Sequence, residues 1–122
     1  MDWGKHDAER TGDRIASVID HLKKLLNARQ GTTLMDPGFG MPDITDLRAT
    51  FPDSVRDIER TLSRTIEQYE PRLVQVEVSF IEQDERMNLY FHIRALLRSD
   101  GQPRPIHLES ALSPSGRMIV RH

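Results

Sequence analysis

The sequence predicts an α+β fold: two amphipathic helices packed on one face of a small antiparallel, meander-like sheet of three to four strands. Three observations carry that prediction. Helical stripes precede Pro71, a two-residue alternation follows it, and the turn residues allow every strand to keep its apolar face toward one side.

The first stripe is Ile15, Val18, Ile19, Leu22, Leu25 and Leu26, the i, i+3, i+4, i+7 spacing of a helix with one buried face. Thr11 or Asp13 can cap it and Gly31 stands just past its end, so the helix is expected from about residue 13 to about residue 29. Residues 1–14 are polar and are expected to be a flexible N-terminal segment, with 15–122 forming a single domain. The second stripe, Val55, Ile58, Leu62, Ile66 and Tyr69, follows "FPDS", where Asp53 or Ser54 can serve as the cap. Pro71 ends it, because the residue before a proline is pushed out of the helical region.

Beyond Pro71, Val74, Val76, Val78 and Phe80 alternate with polar residues, as do Leu89, Phe91, Ile93 and Ala95, then Ile106, Leu108 and Leu112. A short fourth strand is expected at residues 118–121. Asp100-Gly101 suits a two-residue type I′ turn, which sets Ser99 opposite Gln102, Ala95 opposite Ile106, Ile93 opposite Leu108 and Phe91 opposite Ser110. Pro114-Ser115-Gly116 suits a three-residue loop that pairs Ser113 with Arg117 and brings Leu112 against Met118. By the same parity the first hairpin, near Asp84-Glu85, needs an even-numbered loop. Residues 30–50 fit neither period, and Leu34, Met35, Phe39, Met41, Ile44 and Leu47 suggest an ordered loop packed down by its own side chains.

Composition removes several functions. Seventeen basic against nineteen acidic residues leave a net charge of -2, too balanced for a general attraction to nucleic acid or anionic membrane. With no cysteine there is no disulfide, thiolate nucleophile or Cys-based zinc site, which suits a reducing compartment. The N-terminus lacks the basic-then-apolar pattern of a signal peptide, and no apolar run reaches the ~18 residues of a membrane span. The glycines at 38 and 40 are followed by no Lys-Ser or Lys-Thr, so they do not form a phosphate cradle. The five histidines show no metal-binding spacing; His92 facing Glu109 and Arg94 facing His107 read as cross-strand pairs. No cofactor or metal is expected. Neither a nucleophile elbow nor a defined carboxylate pair is present.

The distinctive residues are "LLNARQG" at 25–31, Phe39-Gly40-Met41-Pro42-Asp43, and Glu70-Pro71-Arg72 leading into a hydrophobic strand. In order and spacing they resemble the TssE family of type VI secretion baseplate subunits and, through it, the small wedge proteins of contractile phage baseplates, over nearly the whole chain from Ile15. The resemblance implies a structural, non-enzymatic role in the cytoplasm of a Gram-negative bacterium, at a baseplate associated with the inner membrane. It implies TssF, TssG and TssK as partners and the sheath of TssB and TssC as what the baseplate initiates. The lysozyme name carried by phage relatives keeps a small peptidoglycan hydrolase as the alternative, and a generic interaction adaptor is the other.

On residues alone, Arg72 reads as the intramolecular partner of Glu70 or of the carbonyls at the end of the second helix. The resemblance instead implies that Glu70, Pro71 and Arg72 dock to the wedge partners, the guanidinium fork binding two acceptors. Phe39, Met41, Pro42 and Asp43 are expected beside that hinge, extending the same surface. The fourth strand is expected to complete the domain's own core, to leave an uncovered backbone edge with Ile119 on it and Arg117 and Arg121 adding charge selectivity, or both; that the sheath extends such an edge is what the resemblance implies.

Overall fold

The computed structural model describes residues 3–31, 36–42, 44–99 and 101–122, with the backbone alone for 3–10. Three helices, α1 (Trp3–Asn27), α2 (Ile44–Ala49) and α3 (Val55–Tyr69), precede four strands, β1 (Leu73–Gln83), β2 (Leu89–Leu97), β3 (Arg104–Leu112) and β4 (Met118–Arg121). The sheet is an antiparallel meander in the order β1-β2-β3-β4. Val18, Leu22, Leu25 and Leu26 of α1 and Ile58, Leu62 and Ile66 of α3 are buried in one core with the inward residues of all four strands. This is the expected α+β architecture, with one helix more than the sequence reading supplied.

Three features of the helices differ from expectation, each for a local reason. α1 begins at Trp3 rather than near residue 13, so the stretch expected to be a flexible lead-in is helical from Trp3 onward. Residues 3–14 contain no proline, and Gly4 and Gly12 cost the helix only about 1 kcal/mol each. α2 lies inside the segment expected to be loop, where Ile44 is buried and Leu47 packs against the core from the next turn. Ser54 does stand at the N-cap of α3, but its side chain makes no capping bond and donates instead to the Leu47 carbonyl, which fastens α2 to α3.

The β2–β3 and β3–β4 registers are those the turns predict: Ala95 opposite Ile106, Ile93 opposite Leu108, Phe91 opposite Ser110, and Leu112 opposite Met118. Asp100, half of the expected I′ turn, lies outside the described residues, although Ser99 Oγ donates to the Gln102 carbonyl at 2.8 Å across it. In the second turn Gly116 adopts φ +87°, a left-handed conformation that glycine takes without strain. β1 departs from simple alternation. Register shifts fall between Val74 and Glu77 and between Phe80 and Glu82, and Gln75 has φ +53°. The first shift buries Leu73 with Val76 and leaves Val74 only half-buried, where Val74 had been expected inside. The second adds one residue to β1, so Gln83 pairs with Leu89 and the loop holds five residues, 84–88, instead of an even number.

That loop is organised by Asp84, whose carboxylate accepts from the backbone N–H of Arg86 and Asn88, the Asn88 amide and the Tyr90 hydroxyl. Led by the Asn88 side-chain and backbone donors, these bonds hold its pKa down to about 2. Arg48 of α2 then ties both hairpin tips together, donating from Nε to the Ser113 carbonyl at 3.2 Å and from Nη2 to the Met87 carbonyl.

Candidate functional site

The residues after α3 are held before any partner is considered. Glu70 N–H donates to the Ile66 carbonyl at 2.8 Å and closes the helix, and Leu73 N–H returns to the Glu70 carbonyl at 3.1 Å. Arg98 N–H donates to the Arg72 carbonyl at 2.8 Å and fixes the other end of the turn to β2. Between these anchors the Glu70 side chain turns inward and is 1% exposed. Its Oε1 accepts from Arg72 Nε at 2.8 Å and Arg72 N–H at 3.1 Å; its Oε2 accepts from Arg72 Nη2 at 2.9 Å and His21 Nδ1 at 2.7 Å. Arg72 also donates from Nη1 to Ser17 Oγ at 2.8 Å, so the guanidinium bridges the turn and α1 while remaining 34% exposed.

The electrostatics follow from this geometry. Burial raises the pKa of Glu70, but the donors from the Arg72 side chain and backbone and from His21 outweigh it, and the net shift is downward. Arg72 is shifted upward, chiefly by its bond to Glu70. With Glu70 ionised, His21 must carry its proton on Nδ1 to make the bond.

The segment before α2 reaches the same place. Phe39 packs edge-on against Tyr69 at 5.6 Å between centroids and tilted against His21 at 6.1 Å, so it covers the ring that holds Glu70. The backbone behind it is pinned by Met41 N–H to the Ala28 carbonyl at 2.8 Å and Gln30 N–H to the Met41 carbonyl at 3.1 Å. Gly40, at φ +110°, lies so close to this contact that a Cβ would stand 2.6 Å from the Ala28 oxygen.

The expected site residues therefore divide. Glu70, Pro71, Arg72 and Phe39 come together; Met41 adjoins them by its backbone while its side chain is buried in the core, and Pro42 is exposed. Asp43 lies outside the described residues. Arg117, just before β4, and Ile119 and Arg121 on it are exposed on the face away from the helices, and share no contact with the cluster among the described residues. Glu70, expected with Arg72 on the docking surface, is enclosed; of the two charges only Arg72 reaches solvent. The β4 edge is likewise not bare, because Asn27 of α1 bonds the backbone of Met118.

Ser17 and His21 belong to these arrangements without having been singled out in the sequence, while Tyr69 entered only as a stripe residue and Asn27 only within "LLNARQG". Ser17 and His21 are four residues apart on the margin of the α1 stripe, a spacing that places them on one face, but nothing local names Glu70, 49 residues away, as their partner. Elsewhere, His92 and His107 stack at 5.3 Å with ring nitrogens 3.3 Å apart. No group of three or more metal-ligating side chains occurs among the described residues.

A family profile described as baseplate wedge protein gp25 matches residues 13–102. Baseplate wedge protein gp25 of Enterobacteria phage T4 is 29% identical over 96 residues, 77% of this chain and 70% of that protein. Among solved structures, a chain of the baseplate complex from the type VI secretion system superposes with a TM-score of 0.64 at 23% identity, covering 84% of this chain and 97% of its own. A putative tail lysozyme from Geobacter sulfurreducens superposes with a TM-score of 0.57 at 21% identity, covering 77% of this chain and 86% of its own. At such identities the last two are likenesses of fold.

Proposed function

Since the chain belongs to the baseplate wedge protein gp25 family, which its residues 13–102 match, its role is a structural one in a baseplate, and we propose that the machine is a type VI secretion system. In this reading the chain sits on the cytoplasmic side of the inner membrane, docks to TssF and TssG near TssK, and helps the TssB and TssC sheath to begin. The fold shared with a chain of a type VI baseplate complex supports the choice of machine. No helix among the described residues is long and apolar enough to cross a membrane, which agrees with attachment through partners.

The observation that carries the docking site is the Arg72 guanidinium, clamped by Glu70 and Ser17 yet 34% exposed. Glu70 positions it and Pro71 stiffens the turn; Phe39 and Pro42 supply apolar surface alongside. Pre-organisation of this kind lowers the ordering cost of binding, and a planar fork recognises carboxylates or carbonyls that an ammonium cannot match.

The test is co-purification of Arg72→Ala, Arg72→Lys and Glu70→Gln with TssF and TssG. All three weaken the internal latch, so melting curves are recorded in parallel. Arg72→Ala is expected to lose most of the partner, Arg72→Lys to recover little, and Glu70→Gln to retain partner binding at a comparable loss of stability. Equal loss in Glu70→Gln and Arg72→Ala would assign the cluster to folding alone, and unchanged recovery of Arg72→Ala would end the docking role.

A further inference from the structure

α3 runs antiparallel along β1 with a matching repeat. Four helical residues advance about 6 Å and two strand residues about 6.7 Å, so residues 59, 63 and 67 keep step with residues 80, 78 and 76. Two of the three steps are bonded, Glu67 accepting from Val76 N–H at 3.1 Å and Glu59 from Phe80 N–H at 2.8 Å. Those bonds fix which way the strand faces: Val78, two residues from each, turns its own N–H away from β2 on the same side.

The middle step is open. Ser63 stops short of Val78, its hydroxyl donating back to the Arg60 carbonyl at 3.2 Å, and the Val78 N–H has no partner on this side among the described residues. A cleft of about 370 Å³ lies at the gap, lined by Ser63, Val78 and Ser79 and by the charged groups of Arg56, Glu59, Arg60 and Glu77. Both acids are answered, Glu59 by Arg56 at 2.8 Å and Glu77 by Arg94 at 2.7 Å. Arg60 is paired with Asp57 at 3.1 Å, but the two side chains are 64% and 59% exposed, so water screens the pair and the guanidinium can turn to a ligand. The cleft thus gathers a backbone N–H, a hydroxyl and a cation around a place where the neighbouring steps each hold a carboxylate.

We infer that this cleft is a binding site for a side-chain carboxylate of a partner protein, which takes at Val78 the place that Glu59 and Glu67 take at Phe80 and Val76. The bound carboxylate accepts from Val78 N–H and from Arg60, with the Ser63 hydroxyl turned outward as a third donor. A protein source follows from the shape. The cleft is open, and a few bonds in contact with water hold a free carboxylate weakly, whereas an acidic side chain carried on a partner shares the cost of association with the rest of an interface. The Arg72 turn lies beyond the other end of α3, so this is a second contact surface, and it does not depend on the baseplate reading.

The probe is the blocked tripeptide Gly-Glu-Gly, titrated at millimolar concentration and fixed pH and ionic strength into the full isotope-labelled chain, with Gly-Gln-Gly as the neutral control. Before any peptide is added, the Val78 amide is expected to exchange at least about tenfold faster than those of Val76 and Phe80. The glutamate peptide should shift Val78 saturably, with smaller changes at Ser63 and Ser79, and the glutamine peptide should bind about tenfold more weakly. Ser63→Glu supplies the missing carboxylate from the helix itself, so Val78 exchange should slow to that of its neighbours and the peptide should no longer bind. Arg60→Gln, at an exposed position, should melt like the wild type and bind about tenfold more weakly. The protein source is tested by treating Arg60→Lys, purified with its bound proteins, with a carbodiimide: the link from residue 60 is expected to lead to an aspartate or glutamate of another chain and to vanish when Ser63→Glu is added. A wild-type Val78 amide as protected as Val76 and Phe80, equal binding of the two peptides, or unchanged binding to Ser63→Glu or Arg60→Gln would overturn the site. A link to Asp57 alone would overturn the protein source.

Discussion

Glu70 shows how one residue can be both the most constrained and the least visible member of a site. It is nearly inaccessible, yet it fixes the direction of Arg72, and its four accepted bonds come from a neighbour two residues away and from a helix far off in sequence. Hydrogen bonds to a charged group contribute about 1.5–3 kcal/mol each when measured by removal. Glu70→Gln keeps the shape but loses the charge and one acceptor, and should cost about 2 kcal/mol at neutral pH. The pH dependence has a definite sign. Glu70 is held below its ordinary pKa in the folded chain, so its stabilisation is complete above the unfolded value of about 4.3. It is lost as pH falls through the depressed folded value. Denaturant midpoints of wild type and Glu70→Gln should therefore differ at pH 7 and converge in acid; a gap independent of pH would mean that the charge of Glu70 is not what holds the latch.

At the scale of elements, the sequence was legible where a local rule governed the outcome. The Asp-Gly and Pro-Ser-Gly turns, with apolar residues at every second position, set the β2–β3–β4 registers residue for residue. β1 escaped the same rule because a bulge changes parity without changing composition, and nothing in Gln75 announces a φ of +53°. α1 was read short because its apolar stripe stops at Ile15, although the backbone continues helical to Trp3. The end of α3 was legible in Pro71, but the burial of Glu70 depends on His21 and Ser17 and is a fact of tertiary structure. α2 is another such case, since six residues are too few to hold a helix without packing. Arg48 supplies the main polar fastening by bonding the carbonyls of Met87 and Ser113. Arg48→Met keeps the aliphatic stem and removes both bonds. It should cost about 1–2 kcal/mol and speed amide exchange across residues 44–49 at least tenfold, with β2 and β3 little changed. Unaltered exchange in α2 would show that Ile44 and Leu47 hold the helix by themselves.

At the scale of the whole molecule, the polar side chains are largely committed to fastening one element to another, and this bears on the tail-lysozyme likeness. Glycoside hydrolysis requires two carboxyl groups across a substrate-sized space, one of them able to give up a proton. A groove of about 370 Å³ between α3 and β1 does hold two, Glu59 and Glu77, with Arg56, Arg60, Ser63 and Ser79. Both oxygens of Glu59 already accept, one from Arg56 at 2.8 Å and one from Phe80 N–H at 2.8 Å, and Glu77 accepts from Arg94 at 2.7 Å. Glu70 is enclosed and bonded on both oxygens. These carboxyl groups are engaged as acceptors by neighbouring side chains and backbone, so none of them is set to protonate a leaving group. Fold alone does not carry the activity. Purified chain incubated with peptidoglycan is accordingly expected to release no soluble fragments above buffer, and Glu59→Gln and Glu70→Gln to leave that baseline unchanged. Turnover by the wild-type chain that either substitution abolishes would restore the hydrolase reading, and would require the groove or the Glu70 latch to open before the chemistry could begin.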